Sequence, residues 1–177
     1  MANGILKVGQ ITNSAGSGNI TIGSGVIVNV NRPAFSAQNG TSPQTYSLNT
    51  LTQVQLSVEL FDTDSAYDAS TYKFTVPTGQ AGKYMVSIDG AFENTADYSE
   101  AWLVLYKNGS QDTSVEARIR MAGDTLDGGA SQRLSASGVL DLSVSDYLEV
   151  YGKLNAGSGT PQFNQDTMHF SAYKLGV

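Results

Sequence analysis

The sequence predicts an all-β sandwich preceded by an extended arm. Three observations carry this. Short segments alternate apolar and polar residues with the period of a half-buried strand. Turn-forming clusters rich in Gly, Asn, Ser and Pro separate them. No stretch shows a convincing helical period, and no repeat of fixed length is present. The composition agrees: of 177 residues, 40% are apolar and 15% charged, with 19 glycines and only 4 prolines. That suits a folded chain of many short strands joined by tight turns.

Residues 1–32 stand apart. They are rich in Gly, Ser and Asn and hold no aromatic residue. Such a segment has too little bulk to build its own core. It is expected to be an arm ordered against something else, through Ile5, Leu6, Val8, Ile11, Ile20, Ile22, Val26 and Val28. From Pro33 the pattern changes, and residues 33–177 are expected to form the folded head. Val54, Leu56, Val58 and Leu60 alternate with Gln53, Gln55, Ser57 and Glu59, which predicts a single half-buried strand. Tyr72, Phe74 and Val76 share a face, as do Tyr84, Val86 and Ile88, with Pro77 and Gly79 in the turn between. Trp102, Val104 and Tyr106 lie on one face of the next strand and Leu103 and Leu105 on the other. Asn108-Gly109 predicts a tight hairpin into a strand with Val115, Ala117, Ile119 and Met121 inward. LSASGVLDLSV, SDYLEVYGKL and MHFSAYKL complete the series.

The strand at 101–106 is apolar on both faces, so two covers are needed. Either a loop lies over it or a neighbouring subunit does. The 9 tyrosines suit an interface, because each buries area and keeps a polar tip.

The net charge of −6 and pI near 4.5 disfavour nucleic acid and anionic membranes as partners. No apolar run is long enough to span a bilayer, and MANGILKVGQ lacks the pattern of a signal peptide. The absence of cysteine excludes disulfides, thiolate metal sites and a cysteine nucleophile.

Residues 33–177 resemble the complement C1q-like domain. Asp62 stands four intervening positions before Tyr67, which stands six before Phe74, and Gly82-Lys83-Tyr84 follows. PAFSA, LVLYKNGS, ASGVLDLSVSDYLEVYGKL and FSAYKL keep the order of that family's strands. The departures are Leu56 in place of Phe, a turn before Gly82 that is two residues longer, Val86 and Ile88 in place of aromatics, and Ser145 where Gly usually precedes Asp. There is no collagen-like stalk, which argues against an animal complement or adipokine-type protein. The resemblance implies a C1q/tumour-necrosis-factor-like jelly roll that assembles as a compact homotrimer. Phe74, Tyr84, Trp102, Leu103, Leu105, Tyr106, Tyr151, Phe170 and Tyr173 are the candidates for its core and trimer contacts.

ILKVGQITNSAGSGNITIG resembles the beginnings of small virion and tail-fibre proteins of bacteriophages. Together the two resemblances imply a non-enzymatic phage structural protein, made in the host bacterial cytoplasm and displayed on the virion surface. Its arm would anchor to a major capsid or tail protein. An arm of this length reaches at most about 110 Å, and there is no fibrous shaft. That favours a capsid decoration protein or short head fibre. The alternative is a tail-fibre or tail-tip protein that adheres to host surface glycans through loops 93–99 and 155–165.

Candidate chemistry is sparse. His169 is the only histidine, and its place in a strand predicts a structural role. Asp62, Asp64 and Asp68 supply hard oxygens for calcium, yet lack the glycine and distant glutamate of an EF-hand loop, so a solvated turn competes with an ion site. No other cofactor is expected. Gly-x-Ser-x-Gly is absent, and the glycine-rich arm lacks the Gly-Lys-Ser/Thr of a phosphate loop. Arg118 and Arg120 are expected to pair with carboxylates across strands or subunits. Asn39-Gly-Thr and Asn108-Gly-Ser match glycosylation sequons but are read as turns.

Overall fold

The computed structural model describes residues 32–121 and 125–176. The arm candidates Ile5, Leu6, Val8, Ile11, Ile20, Ile22, Val26 and Val28 lie outside the described residues. The described strands are β1 (Ala34–Gln38), β2 (Gln44–Thr45), β3 (Thr52–Gln53), β4 (Val58–Asp62), β5 (Tyr67–Asp68), β6 (Lys73–Thr75) and β7 (Gly82–Glu93). They continue with β8 (Glu100–Lys107), β9 (Ser110–Arg120), β10 (Gln132–Leu142), β11 (Tyr147–Asn155), β12 (Gln162–Phe163) and β13 (His169–Gly176). No helix occurs among the described residues.

Two antiparallel sheets face each other. In the first, β7 is central. β10 runs along one edge from Gly82 to Phe92, β13 pairs with the other edge over Lys83–Asp89, and β12 with Phe92 and Glu93. β13 continues the sheet to β1 and then β4, while β12 leads to β2. The second sheet runs β5-β6-β11-β8-β9, with β3 also on β11. The inward side chains of both sheets make one core.

The residues that carry the C1q resemblance meet inside that core. Phe35 stacks on Tyr67 and Phe74 at centroid distances of 5.0 and 4.7 Å and meets Phe170 edge-on at 4.8 Å. Tyr67 and Phe74 are cross-strand partners. Asp62 fixes the turn that delivers Tyr67, accepting the Tyr67 N–H at 2.7 Å and the Asp64 N–H at 3.1 Å. Gly82 has φ 141°, and a Cβ there would run into the backbone oxygen of Gly176. That contact and backbone conformation account for the glycine of the Gly-x-Tyr strand.

Several expectations hold in detail. Tyr84, Val86 and Ile88 are fully buried. Asn108 and Gly109 have φ 53° and 77°, the left-handed pair of a two-residue hairpin turn. Val115 is buried, and Ala117 and Ile119 pack against the core.

Three expectations are corrected. Residues 53–60 are not one strand. Val54 and Leu56 are buried, whereas Val58 and Leu60 are exposed. The chain crosses between sheets here: β3 pairs with β11 of the second sheet and β4 with β1 of the first. Local bonds from Leu56 N to Val54 O and from Ser57 N to Gln55 O tighten the crossing. The Tyr67 hydroxyl donates to Leu56 O at 2.7 Å. Tyr72 is not on a strand with Phe74; it holds φ 60° in the turn before β6. Asn39 is not a turn residue of a sequon. Its side chain is buried, donating to Asn164 O and accepting from Thr167 N and Met168 N, so it latches two loops together.

Candidate interaction surface

The nine candidates for core and trimer contacts divide three ways. Phe74, Tyr84, Leu103, Leu105 and Phe170 are fully buried within the chain itself. Trp102, Tyr106 and Tyr151 lie on the outer face of the second sheet. Tyr173 lies on the outer face of the first, half exposed at 50%.

The outer face of the second sheet carries a layer of its own side chains. Trp102 is clamped between Arg118 and Lys153, whose charged groups stand 3.6 and 3.7 Å from the ring centroid. They are its cross-strand partners on β9 and β11. A ring quadrupole attracts cations over its faces, so one indole accommodates both. Arg118 also bonds Glu116 at 3.0 Å, a pairing along its own strand. Tyr106 and Tyr151 stack at 4.1 Å, and Val104 is fully buried among this outer layer. Beside it, the buried Glu149 accepts from Gln53 at 2.9 Å and pairs with Lys73 at 3.5 Å. Burial, then the charge of Glu149 and the neighbouring Tyr106 and Tyr147, raises the Tyr151 hydroxyl pKa. Within the chain, Arg118 and Lys153 lie over Trp102, and Trp102, Tyr106 and Tyr151 stay partly exposed.

The outer face of the first sheet is different. The registers align its outward side chains in rows across β1, β13, β7 and β10. One row is Ala34, Tyr173, Met85 and Val139. The next is four serines, Ser36, Ser171, Ser87 and Ser137. The third is Gln38, His169, Asp89 and Ser135. The residues flanking each serine on β1, β7 and β13 are the buried Phe35, Ala37, Val86, Ile88, Phe170 and Ala172, so the serines point outward. β4 borders this face with Phe61 opposite Ser36 and Val58 opposite Gln38. Phe61, Leu60 and Val139 are exposed at 52%, 52% and 53%. His169 is part of this face: its Nδ1 lies 3.3 Å from Asp89 Oδ2, and Arg133 reaches the same oxygen at 3.9 Å. His169, Asp89 and Arg133 thus form one polar cluster on this face.

The middle row of this face is all serine, and exposed apolar groups border it. A second surface can approach the serine row closely, while Arg133, Asp89 and His169 supply polar groups at its margin. The sequence shows the serines flanked by apolar residues, but only strand register aligns them.

The three candidate calcium ligands are engaged in local turns. Asp62 holds the Tyr67 turn. Asp64 accepts from the Thr63 hydroxyl at 2.7 Å. Asp68 accepts from the Ser70 hydroxyl and N–H and from the Thr71 hydroxyl, which holds its carboxyl down at about 2. Among the described residues, no group of three His, Asp or Glu side chains is placed to hold a metal ion.

Comparison with known proteins agrees with this architecture. No family model matches the chain, and no curated protein sequence matches it. Solved structures do match. The globular domain of zebrafish complement 1qA protein is 19% identical with a TM-score of 0.55, covering 81% of this chain and 98% of that one. Eiger TNF from S. frugiperda is 14% identical, TM-score 0.55, covering 82% and 93%. Murine APRIL at pH 5.0 is 12% identical, TM-score 0.55, covering 82% and 100%. The chain therefore has the jelly-roll fold of C1q and TNF globular domains.

Proposed function

We propose that this chain is a non-enzymatic, homotrimeric structural protein of a bacteriophage virion. Arm residues 1–32 anchor it to the capsid, and the jelly-roll head projects from the virion surface as a decoration protein or short head fibre. The observation that supports self-association best is the contrast between the two outer faces. The second sheet lays Arg118 and Lys153 over Trp102 beside a tyrosine stack, while the first leaves a serine row and an apolar border open. The family resemblance supports three copies, and the resemblance of residues 5–23 to virion protein beginnings supports the anchoring arm. A protein that binds only the assembled shell stabilises it by mass action.

The first test is the solution mass of the full chain by light scattering. A mass near three chains is expected; a single-chain mass at all concentrations overturns the trimer. The second is gold labelling of virions: label distributed over the capsid is expected, and label confined to the tail tip overturns the decoration role.

A further inference from the structure

We infer that the cleft between the 39–44 loop and the β3–β4 crossover binds a neutral saccharide. The cleft has a volume of about 370 Å³, within the range of small-molecule sites, roughly 300–1,000 Å³. Its lining includes Thr41, Ser42, Gln44, Gln55, Ser57 and Tyr72, and it contains no charged side chain. A lining of hydroxyls, amides and one phenol offers many hydrogen bonds and no ionic partner. That chemistry fits an uncharged polyhydroxyl ligand and gives nothing to neutralise a phosphate, carboxylate or cation.

The lining is pre-positioned. The Gln44 amide is held at both ends: its nitrogen donates to Gln53 O at 2.9 Å and its oxygen accepts from Gln55 N at 2.8 Å. Each end keeps further hydrogen-bonding capacity for a ligand. Buried Asn39 latches the loop base to Asn164, Thr167 and Met168. Gln55 and Ser57 are exposed on the crossover. Tyr72, half-buried, lines the cleft from a backbone at φ 60°, a conformation unusual for a bulky residue. It is held there by Tyr72 N–H to Asp68 O at 2.7 Å. Strain of this kind concentrates at binding sites, and an aromatic ring gives the apolar face of a sugar a platform.

Pro43 also lines a second hollow of about 270 Å³ with Glu93, Gln162 and Asn164. There the Asn164 amide nitrogen donates to Glu93 at 2.6 Å and to the Ser131 hydroxyl at 3.0 Å, which fixes the wall of the hollow. The Glu93 carboxylate in this hollow disfavours acidic sugars. The two hollows share Pro43 as a wall, and the reading holds whether the head sits on a capsid or a tail.

The test is amide chemical-shift mapping of the full chain. The probes are methyl glycosides of glucose, galactose, mannose and N-acetylglucosamine, then their neutral disaccharides, then glucuronate, then a capped dipeptide. Shifts confined to 39–44, 55–57 and 72 with a neutral sugar are expected, with none from glucuronate. The paired variant Gln55→Ala/Ser57→Ala weakens binding by about tenfold or more. Tyr72→Gly suits the positive φ and removes the ring, so it abolishes the shifts while the melting temperature is kept. No response to any neutral sugar, a response that persists in both variants, or a response to the dipeptide alone overturns the assignment.

Discussion

At the scale of single residues, the backbone explains two features of the sequence. Ser145 sits at φ 69° in the turn between β10 and β11, where the C1q-like pattern has glycine. The left-handed region costs an ordinary residue about 1–2 kcal/mol, partly offset by the greater chain entropy of an unfolded glycine. Ser145→Gly is therefore expected to stabilise the head by about 0.5–1 kcal/mol, read as a rise in melting temperature. The adjacent Asp146 keeps the turn closed. Burial opposes its charged form, but bonds from the Asn108 amide, the Ser143 N–H and Lys107 outweigh this and lower its pKa. Gly82 has the opposite tolerance: Gly82→Ala forces a Cβ onto the Gly176 backbone and should cost about 2–4 kcal/mol.

Titration follows from the same neighbours. Asp68 is held at about 2 by the Ser70 hydroxyl and N–H and the Thr71 hydroxyl, below its ordinary 3.8. A depressed carboxyl pKa contributes stability that is complete above the unfolded value. That contribution is lost as pH falls from 3.8 towards 2, so proton titration of Asp68 by NMR should show its midpoint near the lower end of that window. The tyrosines run the other way. Burial, then the charge of Asp64, pushes Tyr84 up to about 12, and burial followed by Glu93 and Asp127 does the same for Tyr98. Tyr46 and Tyr67 are raised further, again chiefly by burial. Folding favours their neutral forms, so this stability is intact below pH 10 and falls as pH climbs from 10 through about 12. Phenolate absorbance and the unfolding signal should rise together in that window.

At the scale of elements, legibility depended on how local the determining signal is. The β8–β9 hairpin was legible because Asn108-Gly109 specifies its own turn geometry. The stretch 53–60 departs from a single strand because alternation records which side chains are apolar, not which sheet covers them. Val54 and Leu56 are inward on one side of the crossover; Val58 and Leu60 lie exposed beyond it. β8 shows the same limit. Alternation correctly demanded two covers for Leu103, Leu105 and Val104, but the outer cover is a cation–aromatic layer assembled from three strands. The acids at 62, 64 and 68 look like hard-oxygen ligands in sequence, and only the turn geometry shows them bonded to nearby donors. Because Leu105 faces the core, Leu105→Asp is expected to unfold the head itself. A buried unpaired charge costs several kcal/mol, roughly, and circular dichroism should show the loss of the cooperative melt.

At the scale of the whole molecule, the jelly roll was legible because its order of strands and its aromatic signature survive as residue identities. The open face was not, because it exists only in the registers of β1, β13, β7 and β10. Ser171 stands mid-row between Ser36 and Ser87 and points to solvent. Ser171→Arg adds a long cation without touching the core, so the monomer fold should persist. If this face joins the subunits, the variant loses the trimer and sediments as a single chain. Arg118→Ala makes the reverse comparison: it uncovers one side of Trp102 on the outer face of the second sheet and should leave the oligomer intact. Linkage supplies an independent readout. An assembly that binds only folded chains makes melting temperature rise with protein concentration. That rise is expected for the unaltered chain and for Arg118→Ala, and should vanish for Ser171→Arg. A concentration-dependent melt that survives in Ser171→Arg would move the subunit contact away from the serine rows.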